Sequence, residues 1–244
     1  MNRHRLLVVP VVVALALGLT ACIPLPLPLP GPDPRPSPTV DVVDPGRVDE
    51  HAAEQLMREA LPVVPAGYDV YDEAGLDGET LGGDWTDIDH DAQRVARVVR
   101  GAESPGWDDF SLGPGFYLDV EIVLMSSADA AGLAYNDVAS AASQPYSYDS
   151  DDGSLRTDYA PLAEPSGRWP FGTVEQSREQ TWSSGERASG WVVYYLAGPF
   201  IAVVVASAVP GNDSAAALAA YADSVVPPLV EAVDALPAQL ATIA

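Results

Sequence analysis

Carboxylates are the chain's abundant reactive group: 35 aspartates and glutamates stand against 12 arginines, no lysine, one cysteine and three histidines. A glycosidase needs two carboxylates flanking the scissile bond, but nothing in the sequence singles out a pair. Ser/Lys catalysis is excluded without a lysine, and neither a G-x-S-x-G nucleophile elbow nor a phosphate-cradling glycine motif occurs. His51 and His90 sit among acidic residues in segments that read as exposed, which fits a solvated surface better than proton transfer. Asp87, Asp89 and Asp91 have the spacing of a calcium loop, yet Ala92 stands where such a loop needs glycine and Val98 where it needs its last carboxylate. Asp149-Ser150-Asp151-Asp152-Gly153 is similarly incomplete, and both stretches read as solvated turns. No metal, cofactor or catalytic residue is expected.

Aromatic residues supply the remaining chemistry. Trp169, Phe171, Trp182, Trp191, Tyr194 and Tyr195 cluster in sequence, and their simplest role is core. In strand alternation Val192, Tyr194 and Leu196 fall on one face and Trp191, Val193 and Tyr195 on the other. One set would then line an apolar pocket edged by Trp169 or Trp182, so the candidate ligand-binding residues are Trp169, Trp182, Tyr194 and Tyr195.

The lone cysteine, Cys22, is explained by what precedes it. Residues 2–5 are basic, 6–19 are almost wholly apolar, and Leu19-Thr20-Ala21-Cys22 follows. This is the build of a secretory leader, and the apolar run is shorter than a spanning helix needs. The tetrapeptide resembles the lipobox of bacterial lipoproteins. That resemblance implies cleavage before Cys22, acylation of its sulfur, and anchoring by lipid on the extracytoplasmic face of the cell membrane. Arg3 and Arg5 are separated by His4, so no twin-arginine signal is present. With no second cysteine the fold cannot use an internal disulfide.

Every even position from Pro24 to Pro38 is proline. Such a tract lacks the donors for helix or sheet and adopts extended polyproline II, reaching roughly 50 Å over 16 residues at about 3.1 Å each. It reads as a stalk. The organisation is therefore leader 1–21, lipidated cysteine with stalk 22–46, and a single domain over 47–244. The formal net charge of −23, deepened when Arg3 and Arg5 leave with the leader, argues against nucleic acid and against docking on anionic headgroups.

Periodicity predicts a helix over 48–61, one short strand among the Gly- and Asp-rich residues of 68–85, and a segment at 87–101 that reads as helix or strand, strand preferred. Phe116–Met125 alternates as a half-buried strand, with a helix over 128–143 capped by Ser126 or Ser127. Residues 144–170 read as a long irregular connection. Residues 191–209 carry no charge over a span-like length, but Gly198-Pro199 and β-branched flanks favour two buried strands over a membrane helix. A helix from Asp213 or Ser214 runs to Val226, and Pro227-Pro228 separates it from a last helix over 229–241.

Two stretches echo one another: strand, strand, then an Ala-rich helix, with Leu133 and Tyr135 matching Leu218 and Tyr221. The fold class is thus α+β, an antiparallel sheet with helices on one face, with two strand–strand–helix half-repeats as an open alternative. Together with the lipobox and stalk, these units resemble envelope lipoproteins of actinobacteria and, more distantly, the extracellular sensor-like domains of some bacterial serine/threonine kinases. The resemblance spans about residues 90–226 and implies a groove for an unknown ligand, with no catalytic residues. A non-catalytic envelope lipoprotein binding a small ligand or partner protein is the first reading; a pocketless interaction module and a carboxylate hydrolase are the alternatives.

Overall fold

The structure, a computed structural model, describes residues 48–76, 93–107, 113–162 and 173–243. Cys22, the leader, the stalk, Asp87, Asp89, His90, Asp91, Trp169 and Phe171 lie outside the described residues. The described elements are α1 (Glu50–Ala60), β1 (Asp69–Ala74), β2 (Arg94–Glu103), β3 (Phe116–Met125), α2 (Ala128–Ala142), β4 (Tyr146–Asp149), β5 (Leu155–Pro161), β6 (Val174–Trp182), β7 (Arg187–Ala197), β8 (Phe200–Ala208) and α3 (Ser214–Ile243). The strands form one antiparallel sheet in the order β1-β2-β3-β8-β7-β6-β5-β4.

Local signals set the element ends. Asp49 caps α1, its carboxylate accepting from the amides of His51 and Ala52 at 2.9 and 3.2 Å, and α1 stops at Leu61, whose extended backbone is what a following proline demands. Ser127 caps α2 through the Ala130 amide at 3.0 Å. β7 and β8 close around Gly198-Pro199: Ala197 pairs with Phe200, and Gly198 takes a φ of 58°, the left-handed geometry that a two-residue hairpin asks of its first residue. Of the ambiguous 87–101 segment, residues 94–101 belong to strand β2 and 87–92 lie outside the described residues; the uncharged 191–209 stretch is the expected hairpin.

The helices divide between both faces rather than sharing one. α1 and α3 cover Leu118, Val120, Ile122 and Leu124 of β3 with Phe200, Ala202, Val204 and Ala206 of β8. α2 covers the opposite side through Ala130, Ala131, Ala134 and Val138, against Val123, Met125, Ile201 and Val203. The cause lies in the two central strands: every residue of β3 and of β8 is buried, so the sheet's centre has two apolar faces and needs two covers. β3 is accordingly fully buried, not half-buried, and Asp119 and Glu121 are buried with it.

The strand–strand–helix order occurs twice, as β2-β3-α2 and β7-β8-α3, with β3 and β8 paired at the centre of the sheet. The packing is not repeated, because the helices leave to opposite faces; Leu218 is 4% exposed while Leu133 is 63% exposed.

Two further elements depart from expectation. The described part of 144–170, residues 144–162, holds the β4–β5 hairpin instead of irregular chain. α3 runs unbroken through Pro227 and Pro228. Both prolines point outward, while Val225, Val226, Leu229 and Val233 keep one buried stripe on the sheet, so packing offsets the donors lost at the prolines. By length and composition α3 is apolar enough to cross a membrane, yet that stripe is part of the core.

Candidate functional site

The face covered by α2 changes character along the strands. Near α2 it is apolar; beyond, one cross-strand row reads Tyr146, Tyr159, Arg178, Gly190, Ser207, Tyr117, Glu103, Asp69 from β4 to β1, each residue paired with the next. Alternation brings this about, since every second residue of a strand faces the same way and β6 places Gln176, Arg178, Gln180 and Trp182 together on this side.

Arg178 is the centre of the row. It is 8% exposed, and its Nη1 donates to the Tyr117 hydroxyl, to Gln180 Oε1 at 3.0 Å and to Ser207 Oγ at 3.0 Å. The guanidinium also lies 5.7 Å from the centroid of the Tyr117 ring, a cation–π distance. All three acceptors are neutral. The contrast is Arg97, the other buried arginine among the described residues, whose Nε is 2.5 Å from Glu121 Oε1 and whose Nη1 is 3.6 Å from Glu73. Burial pushes the Arg178 pKa down to about 10, opposed by Tyr194, which leaves it charged at neutral pH.

Several polar atoms on this face lack a partner among the described residues. Arg178 Nε, Gln176 Nε2, Thr157 Oγ1 and Asp119 Oδ1 are buried with no hydrogen-bond partner among the described residues. Buried polar groups are nearly always satisfied, so each such atom asks for a reason. Three of the four can donate a proton, and they come from the adjacent strands β5 and β6.

Aromatic rings border the donors. Trp107, at the start of the β2–β3 connection, meets Tyr117 edge-on at 4.7 Å and Trp182 at 6.1 Å. On the far side Tyr146 stacks on Tyr159 at 4.6 Å. Toward β1, the Tyr71 ring lies over Gly101, where a β-carbon would come within 2.0 Å of Tyr71 Cε1, and its hydroxyl sits beside Asp119. Burial raises the Asp119 pKa to about 7 despite that hydroxyl, with Glu103 and Glu73 adding to the rise.

Of the aromatic residues proposed from sequence, Trp182 stands half-buried at the edge of this cluster. Tyr194 is 1% exposed on the same face; burial drives its phenol above the ordinary range, helped by Tyr146 and Glu121 and opposed by Arg178. Tyr195 points to the other face, where its hydroxyl donates to Asp234 of α3. No one site holds both Tyr194 and Tyr195. Trp169 is outside the described residues. Sequence reasoning missed Arg178, Gln176, Gln180 and Thr157; the signal lay in the polar-in alternation Gln176-x-Arg178-x-Gln180. The Asp149–Gly153 stretch is a turn whose Asp152 carboxylate accepts from the Ser154 amide at 2.9 Å and Ser150 Oγ at 2.8 Å; the Ser154 side chain and amide, then Ser150, hold its pKa down to about 2.

No protein-family model and no curated protein matches the sequence. Among solved structures, the chain is similar to the extracellular domain of PknH from Mycobacterium tuberculosis, at 12% identity and a TM-score of 0.45, over 80% of this chain and 98% of that one. It is similar also to an uncharacterized protein from Mycobacterium smegmatis, at 14% identity and a TM-score of 0.35, over 77% of this chain and 97% of that one.

Proposed function

We propose that the chain is an exported, non-catalytic lipoprotein whose single domain, held outside the cytoplasmic membrane by lipid on Cys22, binds a small ligand on the sheet face around Arg178. The buried guanidinium of Arg178, whose hydrogen-bond partners among the described residues are all neutral, with Tyr117 beneath it and Trp107 and Trp182 alongside that ring, supports this reading. A core built only for stability is better served by apolar residues of the same shape than by half-satisfied polar ones.

Two measurements test the two halves. Mass spectrometry of the native product is expected to find a diacylglycerol-modified Cys22 at the new N-terminus, and Cys22→Ala is expected to lose that modification and its membrane association. An intact Met1 or unmodified sulfur would end the anchoring half. Ligand binding is expected to perturb the fluorescence of Trp107 and Trp182; if neither neutral nor charged small aromatics do so, the binding half fails.

A further inference from the structure

Strand β1 lies at the edge of the sheet, and all six of its residues are exposed. Tyr71 is the side chain that reaches inward from it. Its ring lies across Gly101 of β2, where a β-carbon would meet Cε1 at 2.0 Å, and its hydroxyl hydrogen-bonds Asp119 of β3, the next strand in. The other side-chain ties of β1 are peripheral. Asp72 pairs with Arg100 through side chains 37% and 21% exposed, and Glu73 stands 3.6 Å from Arg97.

Asp119 is thus a buried carboxyl roofed by one ring of an exposed strand. It is 8% exposed, and its Oδ1 has no partner among the described residues. The charged and titratable groups on its face of the neighbouring strands are Asp69, Tyr71 and Glu73 of β1, Arg97 and Glu103 of β2, and Tyr117 and Glu121 of β3. On β8, Val203, Val205 and Ser207 bring no charge there. Arg97 is engaged by Glu121 and Glu73, and Arg178 of β6, beyond Ser207, by Tyr117, Gln180 and Ser207. The charges that act on Asp119 are those of Glu103 and Glu73, both of its own sign.

We infer that β1 is a pH-released edge strand: while Asp119 is neutral, Tyr71 holds β1 on the sheet, and when Asp119 ionises, β1 leaves β2 and water reaches the carboxylate. An ionised carboxylate buried without a cation is a costly state. The central strand β3 cannot expose it without breaking the core, whereas an edge strand with exposed residues opens locally at small cost. Burial, with Glu103 and Glu73 adding to it, raises the Asp119 pKa from 3.8 to about 7 in the closed form despite the Tyr71 hydroxyl. Opening therefore releases a proton. Its equilibrium constant rises with pH by up to about tenfold per unit from about pH 4 to about pH 7 and levels off above.

Hydrogen–deuterium exchange of the full native protein, read by mass spectrometry at pH 5 and pH 7.5 with times scaled for the intrinsic exchange rate, tests this. Peptides covering β1 are expected to exchange roughly tenfold or more faster at pH 7.5 on that scaled axis, while peptides covering β8 do not change. Asp119→Asn keeps the neutral shape and is expected to hold β1 closed at both pH values. Glu103→Gln, which removes a like charge and leaves Asp119 in place, is expected to move the levelling-off to lower pH. Scaled exchange of β1 that is the same at both pH values would overturn the inference. So would an equal rise in β8, which would make the opening global, or a β1 rise that persists in Asp119→Asn.

Discussion

Arg178 reaches past Gly190 to Ser207, placing its Nη1 3.0 Å from a serine hydroxyl two strands away. That reach exists because β7 carries no side chain at the crossing and because its backbone lies tight on β8: a β-carbon at Gly190 would come within 1.8 Å of the Ala206 carbonyl oxygen. Gly190→Ala is therefore expected to push β7 off β8 in the middle of the sheet, at a cost of about 1–3 kcal/mol or more. Urea unfolding followed by circular dichroism checks it, and a variant as stable as the wild type would show that the close approach is not required.

Asp119 gives stability a pH dependence of unusual sign for a carboxylate. Its folded pKa is raised from 3.8 to about 7, chiefly by burial, so the protonated form is the one the fold prefers. The stabilisation is present in full below the unfolded value, declines as pH rises, and is gone once pH has passed through about 7. Asp72 and Asp152 are held low instead, so their effects fall at more acid pH and leave the window from pH 5 to 8 to Asp119. Melting temperature is expected to be higher at pH 5 than at pH 8, and Asp119→Asn to flatten the difference and to be the more stable protein at pH 8. An unchanged slope in Asp119→Asn would assign the effect to another group.

Trp107 borders the Arg178 face only while the segment carrying it stays pinned. Ser104 does the pinning: its hydroxyl donates to the Pro114 carbonyl at 2.6 Å and accepts from the Phe116 amide at 2.9 Å, and the Trp107 amide returns to the Ser104 carbonyl at 2.9 Å. Ser104→Ala leaves a buried amide unpaired, expected to cost about 1–3 kcal/mol. It is also expected to shift the Trp107 emission toward that of exposed tryptophan. A loss of stability without that shift would separate the two roles.

How far the sequence reveals this arrangement depends on the kind of signal. Caps and turns are local, and Asp49, Ser127 and Gly198 mark their elements where chain chemistry requires them. β7 and β8 are legible because a charge-free, β-branched pair with a glycine turn has few other ways to fold. What fails is inference from polarity to exposure. Asp119 and Glu121 read as a solvent face on β3, yet Tyr71, Arg97 and the cover of α2 bury them. The same error hides the candidate site, since Gln176, Arg178 and Gln180 look like an ordinary wet stripe until β5, β7 and β8 close around them. The tyrosine pair chosen from sequence is split by the very alternation that suggested a strand.

Burial, not distance, decides what the ion pairs on β2 contribute. Arg100 and Asp72 form two charge-assisted hydrogen bonds at 2.7 and 3.1 Å, a better-formed pair than most, but the Asp72 side chain is 37% exposed. Arg97 and Glu121 meet at 2.5 Å with side chains 3% and 0% exposed. Asp72→Asn is expected to cost less than about 1 kcal/mol and to cost less still in high salt. Glu121→Gln strips the buried Arg97 of its near carboxylate, leaving Glu73 at 3.6 Å on the exposed edge strand, and is expected to cost about 3–5 kcal/mol with little response to salt. Chemical denaturation of both variants at two ionic strengths separates the cases. Equal losses would mean that water reaches the Arg97 pair as freely as it reaches Arg100, and the polar half of the α2-covered face would then be solvated rather than sealed.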